Sequence, residues 1–406
     1  MYLLPKPKTI KEQDGQMLLC HSTHIVMTKE VAETEMHAAK RLQEAIRQET
    51  GLILTFSVGE VREGDLSLGI VKTLPEQTYE ITIDEKGGQI SGGDGAGVLY
   101  GVETFCQIVQ QCGGILPCVQ IQDAPDMPNR GYYFDQTRGR VLKLEKLKKI
   151  ADRMSRYKLN QLQLYVEHTY LFRDFSEMWR DQTPLTAEEI RELDSYCRER
   201  HIELVPSLAS FGHLCTLLST KTYGDLCEME DSWKEPFSFW NRMRYHTINV
   251  SDERSLPLIK KMIVEYMQLF TSDKFNICAD ETFCLGKYKS KKLAEERGVH
   301  RLYIDYVKEL AQFLVENGKI PMFWGDIIWN SPELMKELPE SMICLNWGYA
   351  PEQREDETRA IAQTGAVQYL CPGVCGWNQW ANLIENSYKN ITRMCGYAAK
   401  YHGIGV

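Results

Sequence analysis

The sequence has no apolar run long enough to cross a bilayer, which excludes a membrane-spanning helix. It also lacks a basic excess: 47 Lys and Arg against 56 Asp and Glu leave a net charge of −9. An acidic chain repels phosphate backbones and anionic headgroups, so neither nucleic acid nor a membrane surface is an expected partner. The first residues, MYLLPKPKTIKEQDG, hold two prolines and early charges where a secretory leader needs an unbroken apolar stretch. A cytoplasmic location follows as the expectation, with the 13 cysteines reduced and behaving as small hydrophobes. Cys371-Pro-Gly-Val-Cys375 has no second cysteine pair and no His-x-x-x-His to complete a zinc set. These two are read as structural thiols, and neither a metal nor a cofactor is expected. GGDGAG, residues 92–97, lacks the third glycine of a dinucleotide fingerprint, because Val98 stands there. It reads as a tight strand-to-helix joint.

What is present is a chain of 406 residues, 43% apolar and 25% charged, long enough for two unequal cores. Residues 1–125 read as a small α+β domain. HAAKRLQEAIRQETG has helical spacing with Gly51 as its stop, QTYEITIDEKGGQISG reads as a hairpin, and GVLYGVETFCQIVQQC as a helix. After the proline-bearing IQDAPDMPNRG the pattern changes, and residues 126–406 alternate strand and helix: YYFDQ, NQLQLYV, IELVPSLA, KFNICADE, IPMFWGD, MICLNW and AVQYLC are strands. TAEEIRELDSYCRERH is a helix opened by a Thr186/Glu189 capping box, and PELMKEL is read as a short helix. Apolar strands in this cadence predict an α/β fold, a (β/α)8 TIM-type barrel preceded by the small domain. The final IGV begins an eighth strand and stops, so the eighth unit reads as truncated.

In such a barrel the chemistry collects where strands end. The first strand ends with Asp135 and Arg138, the second with Glu167 and His168, and the third runs into SFGH with His213. The fourth delivers Asp280 and Glu281, the fifth Trp324 and Asp326, the sixth Asn346 and Trp347, and the seventh Tyr369 followed by Trp377 and Trp380. Carboxylates and an arginine match sugar hydroxyls, and indoles match sugar C–H faces. Each feature alone has a plainer reading, as core filling or as a structural ion pair. Adjacent acids at a strand tip repel in a partly dry cleft, which lets one of them hold its proton and serve as a general acid.

At these residues the sequence resembles family 20 of the glycoside hydrolases, the β-N-acetylhexosaminidases. The family's His-x-Gly-Gly-Asp-Glu signature stands here as Asn276-Ile-Cys278-Ala279-Asp280-Glu281, with the acids kept and the flanks altered. DAPDMPNRGYYFDQTR looks like its entry into the first strand, VPSLASFGH like its third strand, and GVLYGVETFCQI like the end of its small domain. The altered flanks look closer to the hexosaminidase D-like branch.

The resemblance implies release of a terminal β-linked N-acetylhexosamine (GlcNAc, GalNAc or both) from a glycan partner, with the substrate's own acetamido oxygen as nucleophile. It implies Glu281 as proton donor and later base, Asp280 as orienter of the acetamido group, and Tyr369 as its other holder. Trp324 and Trp347 would wall the pocket, and Arg138 would bind ring hydroxyls. Glu167, His213, Asp326 and Trp377 are further candidate substrate contacts, and a homodimer is one assembly this reading allows. The chain departs from the family at Glu167-His168-Thr169, where paired Asp is usual, and at Cys371, where Tyr-Leu-Asp is usual. Two alternatives stay open on the residues alone. One is a conventional two-carboxylate glycosidase pairing Glu281 with Glu167 or Asp326, and the other is a non-catalytic sugar-binding remnant.

Overall fold

The computed structural model describes residues 1–406 apart from Phe237 and Asn378. It divides into two compact units. One comprises Met1–Pro128 with Lys148–Asn160 and Ser195–Ile202; the other comprises Asn129–Leu147, Gln161–Asp194 and Glu203–Val406.

The first unit is built on a mixed sheet of β1 (Thr9–Leu18), β2 (His24–Met27), β3 (Thr55–Val58), β4 (Leu66–Ile70), β5 (Tyr79–Asp84), β6 (Gly87–Gly92) and β7 (Ile115–Asp123). Their order across the sheet is β1-β7-β5-β6-β4-β2-β3. The helix Met36–Thr50 buries Ala38, Ala39, Leu42, Ala45 and Ile46, the i, i+4, i+7, i+8 stripe that its sequence spacing dictates. Gly51 ends it at φ 74°, donating its N–H to Arg47 O. Between β6 and the helix Gly95–Cys112, Asp94 caps the helix by accepting from Gly97 N–H at 2.7 Å. A Cβ on Gly97 would lie 2.2 Å from Thr78 O, so GGDGAG is a packing joint.

The second unit is an all-parallel sheet in simple sequence order: β8 (Gly131–Asp135), β9 (Gln161–Val166), β10 (Glu203–Leu208), β11 (Lys274–Asn276), β12 (Ile320–Trp324), β13 (Ile343–Gly348) and β14 (Val367–Pro372). The interior strands β9, β10 and β12 are buried almost end to end, as expected where both faces are covered, and β9 buries even Gln161 and Gln163. The Thr186/Glu189 box forms as the sequence predicts: Thr186 Oγ1 accepts Glu189 N–H at 3.1 Å, and Glu189 accepts Thr186 N–H at 2.9 Å. PELMKEL differs, forming a 3-10 turn over Pro332–Glu337.

The terminal IGV does more than begin a strand. Ile404 N–H donates to Gln368 O, and Leu370 N–H to Gly405 O. On the other side Val406 N–H donates to Asn129 O, and Gly131 N–H to Val406 O. Residues 404–406 therefore bridge β14 to the entry of β8, closing the ring that a TIM-type barrel requires. Among the described residues, no helix is long and apolar enough to cross a membrane.

Candidate active site

Two like charges end a buried strand because the strand stops early. Alternation in KFNICA would carry β11 to Ala279, yet it ends at Asn276. Asn276 Oδ1 accepts Cys278 N–H at 2.8 Å, a local bond that competes with the ladder and turns the chain. Cys278, Ala279 and Glu281 then take φ values of 58°, 64° and 47°. Side chains that rarely adopt this conformation cost about 1–3 kcal/mol each there. The surroundings over-determine it. Ile277 O accepts Ser210 Oγ–H at 2.6 Å, Cys278 O accepts Trp324 N–H at 2.9 Å, and Ala279 O accepts Tyr303 Oη–H at 3.0 Å.

The turn lets two consecutive residues, which a strand would point apart, reach one partner. His213 Nε2 lies 3.1 Å from Glu281 Oε2 and 3.4 Å from Asp280 Oδ2. The SFGH loop can come this close because position 212 is glycine: a Cβ there would sit 2.5 Å from Asp280 O. Burial alone would depress the His213 imidazolium, but the Asp280 carboxylate beside it, then Glu281, outweigh that and push it up to about 10. Asp280 is the converse. Its burial favours the neutral acid, and His213 and then Arg138 overcome this to hold it below the usual carboxylate range. Ligand atoms of His213, Asp280 and Glu281 all lie within 4.8 Å, a spacing that would also suit a metal ion. The protonated imidazole compensates the two carboxylates as an ion-pair cluster.

Asp326, beyond β12, accepts Glu281 N–H on Oδ2 at 3.0 Å. Burial, then the charges of Asp280 and Glu281, push its carboxyl up to about 8. Arg138 is oriented by Asp135, which accepts from its Nε at 2.8 Å, and lies 4.6 Å over the Tyr165 ring. Glu167 is buried. It accepts from Tyr165 Oη–H at 2.9 Å and from Arg242 Nη2 at 2.9 Å, and lies 3.7 Å from Arg138. Burial works against its ionisation, but Arg242 and then Arg138 hold its pKa down.

The aromatic residues form a connected set. Trp347 stacks on Tyr349 at 4.9 Å and tilts against Trp329 at 5.9 Å; Tyr349 meets Trp377 at 4.3 Å. Trp324 is buried, edge-on to Tyr133 at 4.9 Å. Trp380 is fully exposed, and Asn346 is buried with its amide donating to Thr358.

The structure thus brings together Asp280, Glu281, His213, Asp326, Arg138 and Glu167, with Trp347 and Trp377 joined through Tyr349. Three expectations change. Tyr369 does not reach the acids. Its hydroxyl lies 3.5 Å from Gln161, the first residue of β9, and its phenol, pushed up to about 12 mainly by burial, senses Lys274 and Glu203 at other strand beginnings. Barrel strands are staggered, so the third residue of β14 sits at the height where β9 begins. Glu167 and His213 are enclosed by other side chains. Both are buried, Glu167 against arginines and His213 against the acids.

Tyr349, Arg242 and Tyr165 were not candidates on sequence. The Tyr349 phenol is raised by desolvation of its hydroxyl, then by the charges of Asp280, Cys371 and Glu281, although the residue as a whole keeps 39% of its surface exposed. Its signal was its place two residues beyond Trp347, just past the end of β13. Arg242 lies in the short helix Phe239–Arg244, within a segment that shows no periodicity.

A family model described as glycosyl hydrolase family 20, domain 2, matches residues 1–124, and one described as glycosyl hydrolase family 20, catalytic domain, matches residues 128–401. A β-hexosaminidase of Porphyromonas gingivalis is 24% identical over 411 residues, covering 92% of this chain and 50% of its own length. Hexosaminidase D of Bos taurus is 21% identical over 202 residues, covering 48% of this chain and 55% of its own. The chain spans about half the length of the curated relatives it matches. The crystal structure of a β-N-acetylhexosaminidase from Bacteroides fragilis shares the fold, with a TM-score of 0.74 at 18% identity over 92% of this chain and 75% of that one.

Proposed function

Since the chain belongs to family 20 of the glycoside hydrolases, we propose that it releases terminal β-linked N-acetylhexosamine by substrate-assisted catalysis. The observation that carries this reading is the convergence of Asp280 and Glu281 on His213.

The substrate's acetamido oxygen attacks the anomeric carbon as Glu281 protonates the departing oxygen, giving an oxazolinium ion; Glu281 then takes a proton from water as the ring opens. Asp280, kept anionic by His213 and Arg138, accepts the acetamido N–H and faces the positive charge that develops on that group. Tyr349, just past the end of β13 and in ring contact with Trp347 and Trp377, is the donor for the acetamido oxygen in place of Tyr369. Trp347, Trp377 and Trp329 pack on the sugar's apolar faces, and Arg138, fixed by Asp135, binds ring hydroxyls.

The two-carboxylate alternative is less well supported. Asp326 is pushed toward its neutral form by burial and by Asp280 and Glu281, and it already accepts Glu281 N–H. Glu167 already accepts from Arg242 and Tyr165. A cytoplasmic location is part of the same proposal, in keeping with thirteen cysteines, none of them in a disulfide among the described residues.

The test is nitrophenol release from β-GlcNAc, β-GalNAc and β-glucose glycosides. Turnover of the N-acetyl substrates alone is expected, and equal turnover of the glucoside would remove the acetamido role. Glu281→Gln should lose roughly 10²-fold or more on a poor leaving group and much less on an activated one. Tyr349→Phe should lower kcat more than Tyr369→Phe does. The opposite order would return the acetamido contact to Tyr369.

A further inference from the structure

We propose that Asp326 is a positioning residue that fixes the proton donor Glu281 through its main chain; the inference rests on the role given to Glu281 above. Three features of the geometry carry it. Asp326 Oδ2 accepts Glu281 N–H at 3.0 Å. Glu281 has φ 47°, a conformation that no glycine eases at this position, so something outside the turn must hold it. The other oxygen, Oδ1, is buried and has no hydrogen-bond partner among the described residues, so Asp326 makes one strong directional contact and that contact is Glu281.

The reach of the bond follows from where it acts. Glu281 is the last left-handed residue of the turn, and its side chain must leave the backbone toward His213 and the substrate at once. Releasing its N–H lets φ relax toward negative values and swings the carboxyl away from the imidazole. The acid would then lie off the line to the departing oxygen while substrate binding through Arg138 and the tryptophans stayed intact. Proton donation tolerates such displacement poorly, because the transfer needs hydrogen-bond distance in the transition state.

Charge adds a second consequence. The groups facing Asp326 are Asp280 and Glu281 from the turn, Tyr303 from the helix Val299–Glu316, and Cys344 from β13; none is a cation. Burial and the two neighbouring carboxylates favour its neutral form below about pH 8. Below that pH Asp326 therefore holds Glu281 N–H as a neutral acid, which the amide of Asn imitates.

Asp326→Asn and Asp326→Ala test the bond. The amide oxygen of Asn can still accept Glu281 N–H but does not titrate; Ala does neither. Asp326→Ala is expected to lose at least about tenfold in kcat on a poor leaving group, with KM and the rate on an activated leaving group moving much less. Asp326→Asn should recover most of that loss at pH 6. Hydrogen exchange of the Glu281 amide supplies a readout that does not depend on turnover: protected in wild type and Asp326→Asn, unprotected in Asp326→Ala.

An Asp326→Ala protein with a protected Glu281 amide, or with unchanged leaving-group dependence, would overturn the inference. So would Asp326→Asn being as impaired as Asp326→Ala at pH 6. If the wild type releases no sugar, the proposed function fails, while amide exchange still decides whether Asp326 holds Glu281.

Discussion

Ala279 carries a methyl group at φ 64°, and Cys278 before it a thiol at φ 58°, where the family signature has two glycines. Both side chains are buried, so each adds packing at the cost of backbone strain. For Ala279 the opposing terms are similar in size. Replacing it by glycine removes about 1–2 kcal/mol of left-handed strain. It also gives up about 0.8 kcal/mol of buried methyl and about 0.4–1 kcal/mol in unfolded-chain entropy. Ala279→Gly is therefore expected to change stability little. Ala279→Val places a branched Cβ in the same conformation inside a filled site, and should cost about 2–4 kcal/mol. Chemical denaturation of the two variants checks this. A tolerated valine would mean that the turn is softer than its bonds from Ser210, Trp324 and Tyr303 indicate.

At the level of elements, local chemistry that acts within a few residues was legible. Gly51 ends its helix, the 79–92 hairpin forms, though it turns at Glu85-Lys86 with Gly87 and Gly88 inside its second strand, and the Thr186/Glu189 box closes reciprocally. Thr186→Ala breaks one half of that box and exposes Glu189 N–H; it should cost about 1 kcal/mol, seen as a lowered denaturation midpoint with an unchanged slope. A change in slope would mean that the substitution alters more than the cap. The acid pair was legible as the tip of a strand, because an apolar run ending in two carboxylates has few other readings. What was not legible depended on tertiary partners. The early end of β11 comes from an Asn276 bond and three donors distant in sequence, none visible in the alternation of KFNICA. Tyr349 and Tyr369 both lie near strand ends in one dimension. Their heights in the barrel differ through the register of β13 and β14, which pairs Leu345 with Tyr369 and leaves Tyr349 beyond the ladder. Arg242 reaches Glu167 from a segment with no period to read, so only the folded chain reveals it.

At the scale of the catalytic unit, everything at the strand ends depends on a ring that three residues complete. Among the described residues, Ile404, Gly405 and Val406 share five hydrogen bonds with β14 and the entry to β8: four between backbones and one from Asn129 Nδ2 to Ile404 O at 2.8 Å. At a net of about 1 kcal/mol each these contribute roughly 5 kcal/mol, against a total stability of about 5–15 kcal/mol for an ordinary domain. Removing residues 404–406 also bares two strand edges, one on β14 and one beside β8, and exposed parallel edges invite pairing with other chains. The shortened protein should therefore unfold at markedly lower denaturant and scatter light at concentrations where the 406-residue chain does not. Loss should appear in activity as well, because Arg138 follows directly from β8 and Trp377 from β14, so an open ring lets the two sides of the site drift apart. Gly405→Pro is the finer test. It keeps the chain length and the Gly405 carbonyl that accepts from Leu370, while placing a ring where a Cβ would already stand 2.9 Å from Tyr369 atoms. If either variant melted, scattered and turned over substrate like the unaltered chain, the ring would be closed by the seven strands and their helices alone, and the terminal tripeptide would be ornament.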